Sequence, residues 1–260
     1  MSVPGLSLPG QDTLLGCWRA LARLSRGARV VRTPTLAAAV FPAWEPLNNA
    51  IVLSAAPGGD DDGVVEARGL FGDADVDAWA LWFPSRATDL TSADSAPDVP
   101  GFTRDVTTLV MHAAVPAGLR LHDDVVRTSV AAACLTSDPP VPQADLPEPD
   151  ALPGLDAWVM VHHGVAVSGG WTFLRGADCG VYAVETLPGW RRRGLAAALV
   201  EHALADAQRR GARTASLQST PMGQPLYESL GFRPVGRYEE WVPQPGRRDP
   251  VQRPRGTGRV

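Results

Sequence analysis

The stretch from Cys179 to Arg210, CGVYAVETLPGWRRRGLAAALVEHALADAQRR, limits the possible folds more than any other part of this chain. Val181 to Thr186 is short, apolar and β-branched, and Pro188-Gly189 stops it, as expected of a core strand. Helical spacing takes over at Gly194: Leu195, Leu199, Ala203 and Ala207 share one face, with Glu201 and Asp206 among the polar positions. Arg209 and Arg210 suit the negative C-terminal end of that helix, and Gly211 supplies a left-handed stop. The helix start breaks the usual pattern. Arg191, Arg192 and Arg193 stand where the dipole is positive and acids are favoured. Gly194 in the first turn costs about 1 kcal/mol relative to alanine. Both departures make sense if an anion docks there, held by exposed N–H groups and arginines and admitted by a missing side chain.

A helix start rich in arginine is, by itself, equally well a solvated basic turn, so the following residues decide. Thr214 to Thr220 (TASLQST) reads as a second strand. Pro221-Met222-Gly223 then turns into a short helix ending Leu226-Tyr227-Glu228-Ser229-Leu230-Gly231-Phe232. Arg191-x-x-Gly194-x-Ala196 after a strand resembles the acyl-CoA pyrophosphate loop of the GNAT family of N-acetyltransferases, whose pattern is Gln/Arg-x-x-Gly-x-Gly/Ala. Tyr227, ahead of the Gly231-Phe232 pair, resembles the second half of that family's signature. The resemblance covers residues 157 to 242. It implies an α/β (α+β) GNAT fold, a mixed and mostly antiparallel sheet flanked by helices.

The resemblance further implies transfer of an acetyl group from acetyl-CoA, as co-substrate, to an amine, either a small molecule or a peptide N-terminus. Backbone groups of Val184 and Thr186 would hold the pantetheine arm. The N–H groups of Arg192, Arg193, Gly194, Leu195, Ala196 and Ala197 would hold the pyrophosphate, with the arginine side chains from Arg191 onward adding charge-assisted bonds. Ser219 would meet the pantetheine arm from the opposite side. Tyr227 would protonate the departing thiolate, against a reading as a core tyrosine flanking the Leu226 and Leu230 stripe. Glu185 is the one carboxylate in the strand and the candidate base. Simple alternation sets it on the face opposite Tyr182 and Val184, and a bulge would turn it inward. Asp178, His162 and His163 lie in turns and are the alternatives through a water chain. A non-catalytic acyl-CoA sensor is the competing function, and no Gly-x-Gly-x-x-Gly or Gly-Lys-Ser/Thr loop supports a nucleotide site.

Composition narrows the partners. The chain of 260 residues is 45% hydrophobic and 20% charged, ordinary for a globular protein. All 24 basic residues are arginine, and the formal net charge of −4 argues against broad nucleic-acid binding. Cys17, Cys134 and Cys179 form no CxxC, so neither a disulfide framework nor a metal site is expected, and a reducing cytoplasm fits. No leader-type segment and no apolar run long enough for a membrane span is evident.

The rest of the chain reads less sharply. Gln11 to Arg26 carries an amphipathic helix through Leu14, Trp18, Leu21 and Leu24. Short strands follow at Val30-Val31, Ala37 to Phe41 and after Pro46, where Asn48 and Asn49 read as turn chemistry. Gly58 to Gly63 is a charged loop, Val64 to Phe71 a helix, and Trp79 to Phe83 and Thr107 to Val115 are strands. This half, residues 1–120, resembles a degenerate GNAT-like module without an anion loop. Its expected roles are covering the C-terminal sheet, shaping the substrate pocket, or forming a homodimer. Residues 121–156 are expected to be a Pro-rich connector, with a strand or helix within Leu121 to Leu135, 157–243 the GNAT core and 244–260 a disordered tail.

Overall fold

The computed structural model describes residues 6–53, 62–89, 99–135 and 142–244. Five helices occur among them: α1 (Gln11–Ala22), α2 (Asp62–Gly72), α3 (Val130–Ala133), α4 (Leu195–Arg209) and α5 (Gln224–Ser229). The strands are β1 (Arg29–Arg32), β2 (Leu36–Val40), β3 (Asn49–Val52), β4 (Ala80–Ser85), β5 (Phe102–Arg104) and β6 (Thr108–Ala114). They continue with β7 (Val125–Thr128), β8 (Leu155–His162), β9 (Val165–Arg175), β10 (Asp178–Thr186), β11 (Thr214–Ser219) and β12 (Arg233–Pro243). All join one sheet of 12 strands in the order β1-β2-β3-β4-β12-β6-β11-β10-β9-β8-β7, with β5 pairing β12 off that path. Among the described residues, only β3–β4 and β10–β11 pair in parallel. This is the mixed, mostly antiparallel sheet flanked by helices that the sequence implied.

Burial on both faces explains the composition of the central strands. Every residue of β2, LAAAV, is buried. Ala37 and Ala39 face the cluster built on α1, while Leu36, Ala38 and Val40 face the one built on α2. A strand covered on both faces reads as a continuous apolar run rather than an alternating one. Helices α1 and α3 lie on one side of the sheet. Helices α2, α4 and α5 lie on the other.

The sheet contains a structural repeat. In β1-β2-β3-α2-β4 an antiparallel meander is followed by a helix and a strand parallel to the last of the three. In β8-β9-β10-α4-β11 the same connectivity recurs. The two copies interlock at the centre: β12 pairs with β4 and β6, and β6 pairs with β12 and β11.

Several expectations need correction. Helix α1 ends at Ala22, short of Arg26, because Arg23 and Leu24 tighten onto Ala20 and Leu21 carbonyls and Gly27 turns at φ +78°. Residues 121–156 are not simply a connector, since β7 joins the sheet edge beside β8 and α3 packs against β8 and β9. Thr128 Oγ1 donates to the Pro147 carbonyl at 2.8 Å, and Val130 N donates to Asp150 at 2.7 Å, fastening the Pro-rich run to that edge. Strands β5 and β12 are not among the expected ones. In β12, Arg237, Glu239 and Glu240 suggest a surface strand, yet Arg237 is fully buried and its guanidinium binds Glu239 Oε1 at 2.6 and 3.1 Å. Gln244 bonds Gly101 and Phe102 carbonyls. The remainder of the expected tail, and most of the Gly58–Gly63 loop, lie outside the described residues.

Candidate active site

The site is built where β10 and β11 part. Their parallel register runs from Asp178–Thr214 to Val181–Leu217 and stops there. Beyond it, Tyr182 to Thr186 on one strand and Gln218 and Ser219 on the other have no partner in each other, leaving backbone polar groups along an open wedge. A bulge sits at the mouth of the wedge. Tyr182 pairs with Trp171 and Glu185 with Gly169, so Ala183 and Val184 together oppose Gly170, and Ala183 adopts φ +49°. A bulge of this kind reverses the alternation downstream. Val184 therefore packs with Leu199 on the α4 side. Glu185 takes the face of Tyr182 and Trp171, where it lies exposed near Cys134 of the α3 segment. Burial, with Glu185 second, pushes the Cys134 thiol up to about 11.

Above the wedge, the loop from Leu187 to Gly194 opens into α4. Gly194 is the helix N-cap at φ +77°, with no side-chain cap and open space where a Cβ would point. Arg192 also adopts a left-handed conformation, φ +63°. Such conformations cost roughly 1–2 kcal/mol for a residue with a side chain. The first backbone donor used inside the helix is Ala198 N, to the Gly194 carbonyl at 3.0 Å. The N–H groups of Leu195, Ala196 and Ala197 are the three orphan donors of a helix start, and they point out of it. The arginines divide their roles. Arg191 Nε donates to the Thr186 carbonyl at 3.0 Å, and Arg193 donates to the Gly189 carbonyl at 3.1 Å while stacking over Trp190. These two bonds help hold the loop's shape. Arg192 is exposed and makes no hydrogen bond or ion pair among the described residues.

Tyr227 closes the wedge from the α5 side. It is buried, its ring stands edge-on to Phe232 at 5.9 Å, and burial pushes its pKa up to about 12. Its hydroxyl has no partner among the described residues, yet it is not among the polar atoms sealed from solvent, as the Tyr182 hydroxyl is. Ser219 lies beside it: a Cβ on Gly223 would stand 3.1 Å from Ser219 Oγ and 3.2 Å from Tyr227 Cε2. Ser219 Oγ donates to the Thr220 carbonyl at 2.9 Å. Thr186 keeps its side chain on Ser168 Oγ at 2.9 Å. The alternative proton carriers are engaged elsewhere. Asp178 accepts hydroxyls from Thr13, Thr214 and Ser216 at 2.7–2.9 Å at the far end of β10. His162 and His163 pack against Trp190. Among the described residues no cluster of three or more His, Cys, Asp or Glu side chains is placed to hold a metal ion, and no helix is long and apolar enough to cross a membrane.

A parallel pair that splays beside a bulge, under an uncapped helix start, leaves an open cleft with unpaired backbone donors above it. Residues 153–234 match the family model of the acetyltransferase (GNAT) domain. The fold extends over nearly the whole molecule. It is shared with a GCN5-related N-acetyltransferase from Kribbella flavida, at 20% identity, covering 92% of this chain and 97% of that one, with a TM-score of 0.53. A GNAT-family protein from Novosphingobium aromaticivorans is similar at 20% identity, 83% and 91% coverage, and a TM-score of 0.52. A conserved protein of unknown function from Staphylococcus epidermidis is similar at 10% identity, 84% and 95% coverage, and a TM-score of 0.53. No curated protein matches the sequence.

Proposed function

We propose that the protein is an N-acetyltransferase, with residues 157–243 as the catalytic core, transferring an acetyl group from acetyl-CoA to an amine. One observation carries this reading: three unused N–H donors at the start of α4 stand directly above a wedge of unpaired strand backbone. A diphosphate satisfies the donors, and an extended amide-bearing arm completes the strand edge as an added strand would. Acetyl-CoA offers both groups in one molecule and brings the activated thioester. The chain's own residues then bind, orient and move protons.

Leu195, Ala196 and Ala197 N–H hold the diphosphate, Gly194 leaves it room, and Arg192 supplies the free guanidinium. Backbone groups of Val184 and Thr186 hold the arm on one side, and Ser219 borders it on the other. Tyr227, kept neutral by burial, donates its proton to the leaving thiolate. Glu185, turned by the bulge onto the face opposite the α4 side, takes the proton of the incoming amine directly or through water. The test is a thermal-shift titration with acetyl-CoA on the parent and on Gly194→Glu, with release of free CoA thiol followed over a panel of amines. Stabilisation of the parent and its loss in the variant are expected. Equal stabilisation of both, or none in the parent, overturns the cofactor site.

A further inference from the structure

The two ends of the sheet are treated differently. At β7 the Pro-rich run is fastened alongside, through Thr128 Oγ1 to the Pro147 carbonyl and Val130 N to Asp150. At the other end, β1 pairs with β2 alone among the described residues. The register fixes which backbone groups face outward there. Thr33 N donates to the Leu36 carbonyl at 2.8 Å and closes the hairpin, which makes Val31 and Ala38 a hydrogen-bonded pair. Bonded and unbonded pairs alternate along an antiparallel ladder, so Val30 and Arg32 turn their N–H and C=O groups away from β2. No other backbone bond uses these four groups among the described residues.

The charge along this edge has one sign. Between Thr13 and Trp44 lie five of the chain's 24 arginines and none of its 28 acidic residues. All five, Arg19, Arg23, Arg26, Arg29 and Arg32, are exposed. The side chains of the first four make no hydrogen bond or ion pair among the described residues. Arg32 shares the exposed Asp12 carboxylate, at 3.3 Å, with Arg175 at 3.5 Å. Glu66 also reaches the hairpin, where it accepts the Thr33 and Thr35 hydroxyls at 2.8 and 2.7 Å.

We propose that the outer edge of β1 is a docking site for an extended acidic segment of a partner protein, which adds to the sheet as a further strand. Its backbone meets the outward groups of Val30 and Arg32, and its carboxylates meet Arg26, Arg29 and Arg32. Charge commonly blunts an edge strand, and here its single sign also chooses the occupant. A second copy of the chain would bring the same arginines to the seam and be repelled. A phosphate-bearing partner satisfies the arginines but offers no ladder of amide donors to the two outward carbonyls. Six strands separate β1 from β10, so the proposal stands apart from the acyl-transfer reading.

A fluorescent peptide alternating glutamate with threonine tests this by anisotropy on the full chain. Its companions carry glutamine in place of glutamate, or the acidic sequence N-methylated throughout, which removes the donors and keeps the charge. The acidic peptide is expected to bind and to shift the Val30 and Arg32 amide signals, with both companions weaker by about tenfold or more. Arg26→Gln combined with Arg29→Gln, two exposed and unpaired side chains, should weaken binding about tenfold at an unchanged melting temperature. No binding by the parent, equal binding of either companion, or unaltered binding by the double variant overturns the proposal. Tighter binding of a short oligo-dT or of phosphatidylserine vesicles, with the same dependence on Arg26 and Arg29, overturns it in favour of a phosphate ligand.

Discussion

Tyr227, the proposed acid, holds its proton firmly because its surroundings refuse the phenolate. Burial alone raises its pKa from 10.0 to about 12, and no hydrogen bond among the described residues steadies the charged form. Tyr227→Phe is therefore expected to lower kcat by about a hundredfold while leaving the acetyl-CoA thermal shift intact, as loss of a positioned general acid does. A change of less than about threefold would show that the proton comes from elsewhere. The same shift has a consequence for stability, with a definite sign. The folded state prefers the neutral phenol, so its contribution is complete below pH 10 and fades as pH rises from 10 towards 12, at about 1.4 kcal/mol per pH unit. Tyr182 and Tyr238, also raised by burial, act in the same direction. Urea unfolding above pH 10 should thus show a shallower loss of stability in Tyr227→Phe than in the parent. Equal slopes would mean that this phenol ionises as freely folded as unfolded. At this scale the sequence was legible where the chemistry is local: Gly194, the arginines and Tyr227 stand on short segments whose turn and helix signals adjoin them. The packing of Trp44 on Trp171 was not, because the two lie more than a hundred residues apart and only the interlocked sheet brings them together.

A bulge needs room on the strand facing it, and Gly170 provides that room. A Cβ there would stand 3.1 Å from both the Tyr182 carbonyl oxygen and Val184 Cγ2. Gly170→Ala should push Val184 out of its place under α4 and shift the backbone that lines the wedge, raising the KM for acetyl-CoA several-fold at a modest loss of stability. Gly189→Ala is the control, since nothing lies within 4 Å of its added carbon. An unchanged KM in Gly170→Ala would show that the bulge is not what positions the cofactor arm. The strand itself was legible from its β-branched run, and the need for a bulge from the sidedness of Glu185. Its position was not, because a bulge is set by the partner strand: Gly169-Gly170 reads as strand-weakening until the register is known. Strand β12 failed for a related reason. Propensity counts Arg237, Glu239 and Glu240 as surface residues, and only pairing in three dimensions explains how a buried guanidinium is satisfied.

The interlock of β6 and β12 makes the two repeats one cooperative body. Without residues 1–120, β11 loses β6, and β12 loses both β4 and β6, exposing the middle of the sheet. A single calorimetric transition is expected for the full chain. Separate transitions for the two repeats would contradict this. The most exacting probe lies at the seam. Arg237 is fully buried between Ser85 and Leu109, binding Glu239 and the Asp89 carbonyl at 2.8 Å, while Arg104 approaches Glu239 at 3.6 Å. Removing one partner strands a buried charge, so Arg237→Met should cost about 3–5 kcal/mol. Arg237→Met combined with Glu239→Leu removes both charges and should recover most of that loss, since a packed apolar pair often equals a buried ion pair. Because β12 carries this pair to the centre of the sheet, the destabilisation should lower the one transition of the whole molecule rather than melt the N-terminal repeat alone. The acetyl-CoA thermal shift supplies the check: Arg237→Met, which touches nothing in the wedge, should lower the melting temperature of free and bound protein alike. If cofactor binding survives above the temperature at which the N-terminal repeat has melted, the two halves are not coupled through the seam.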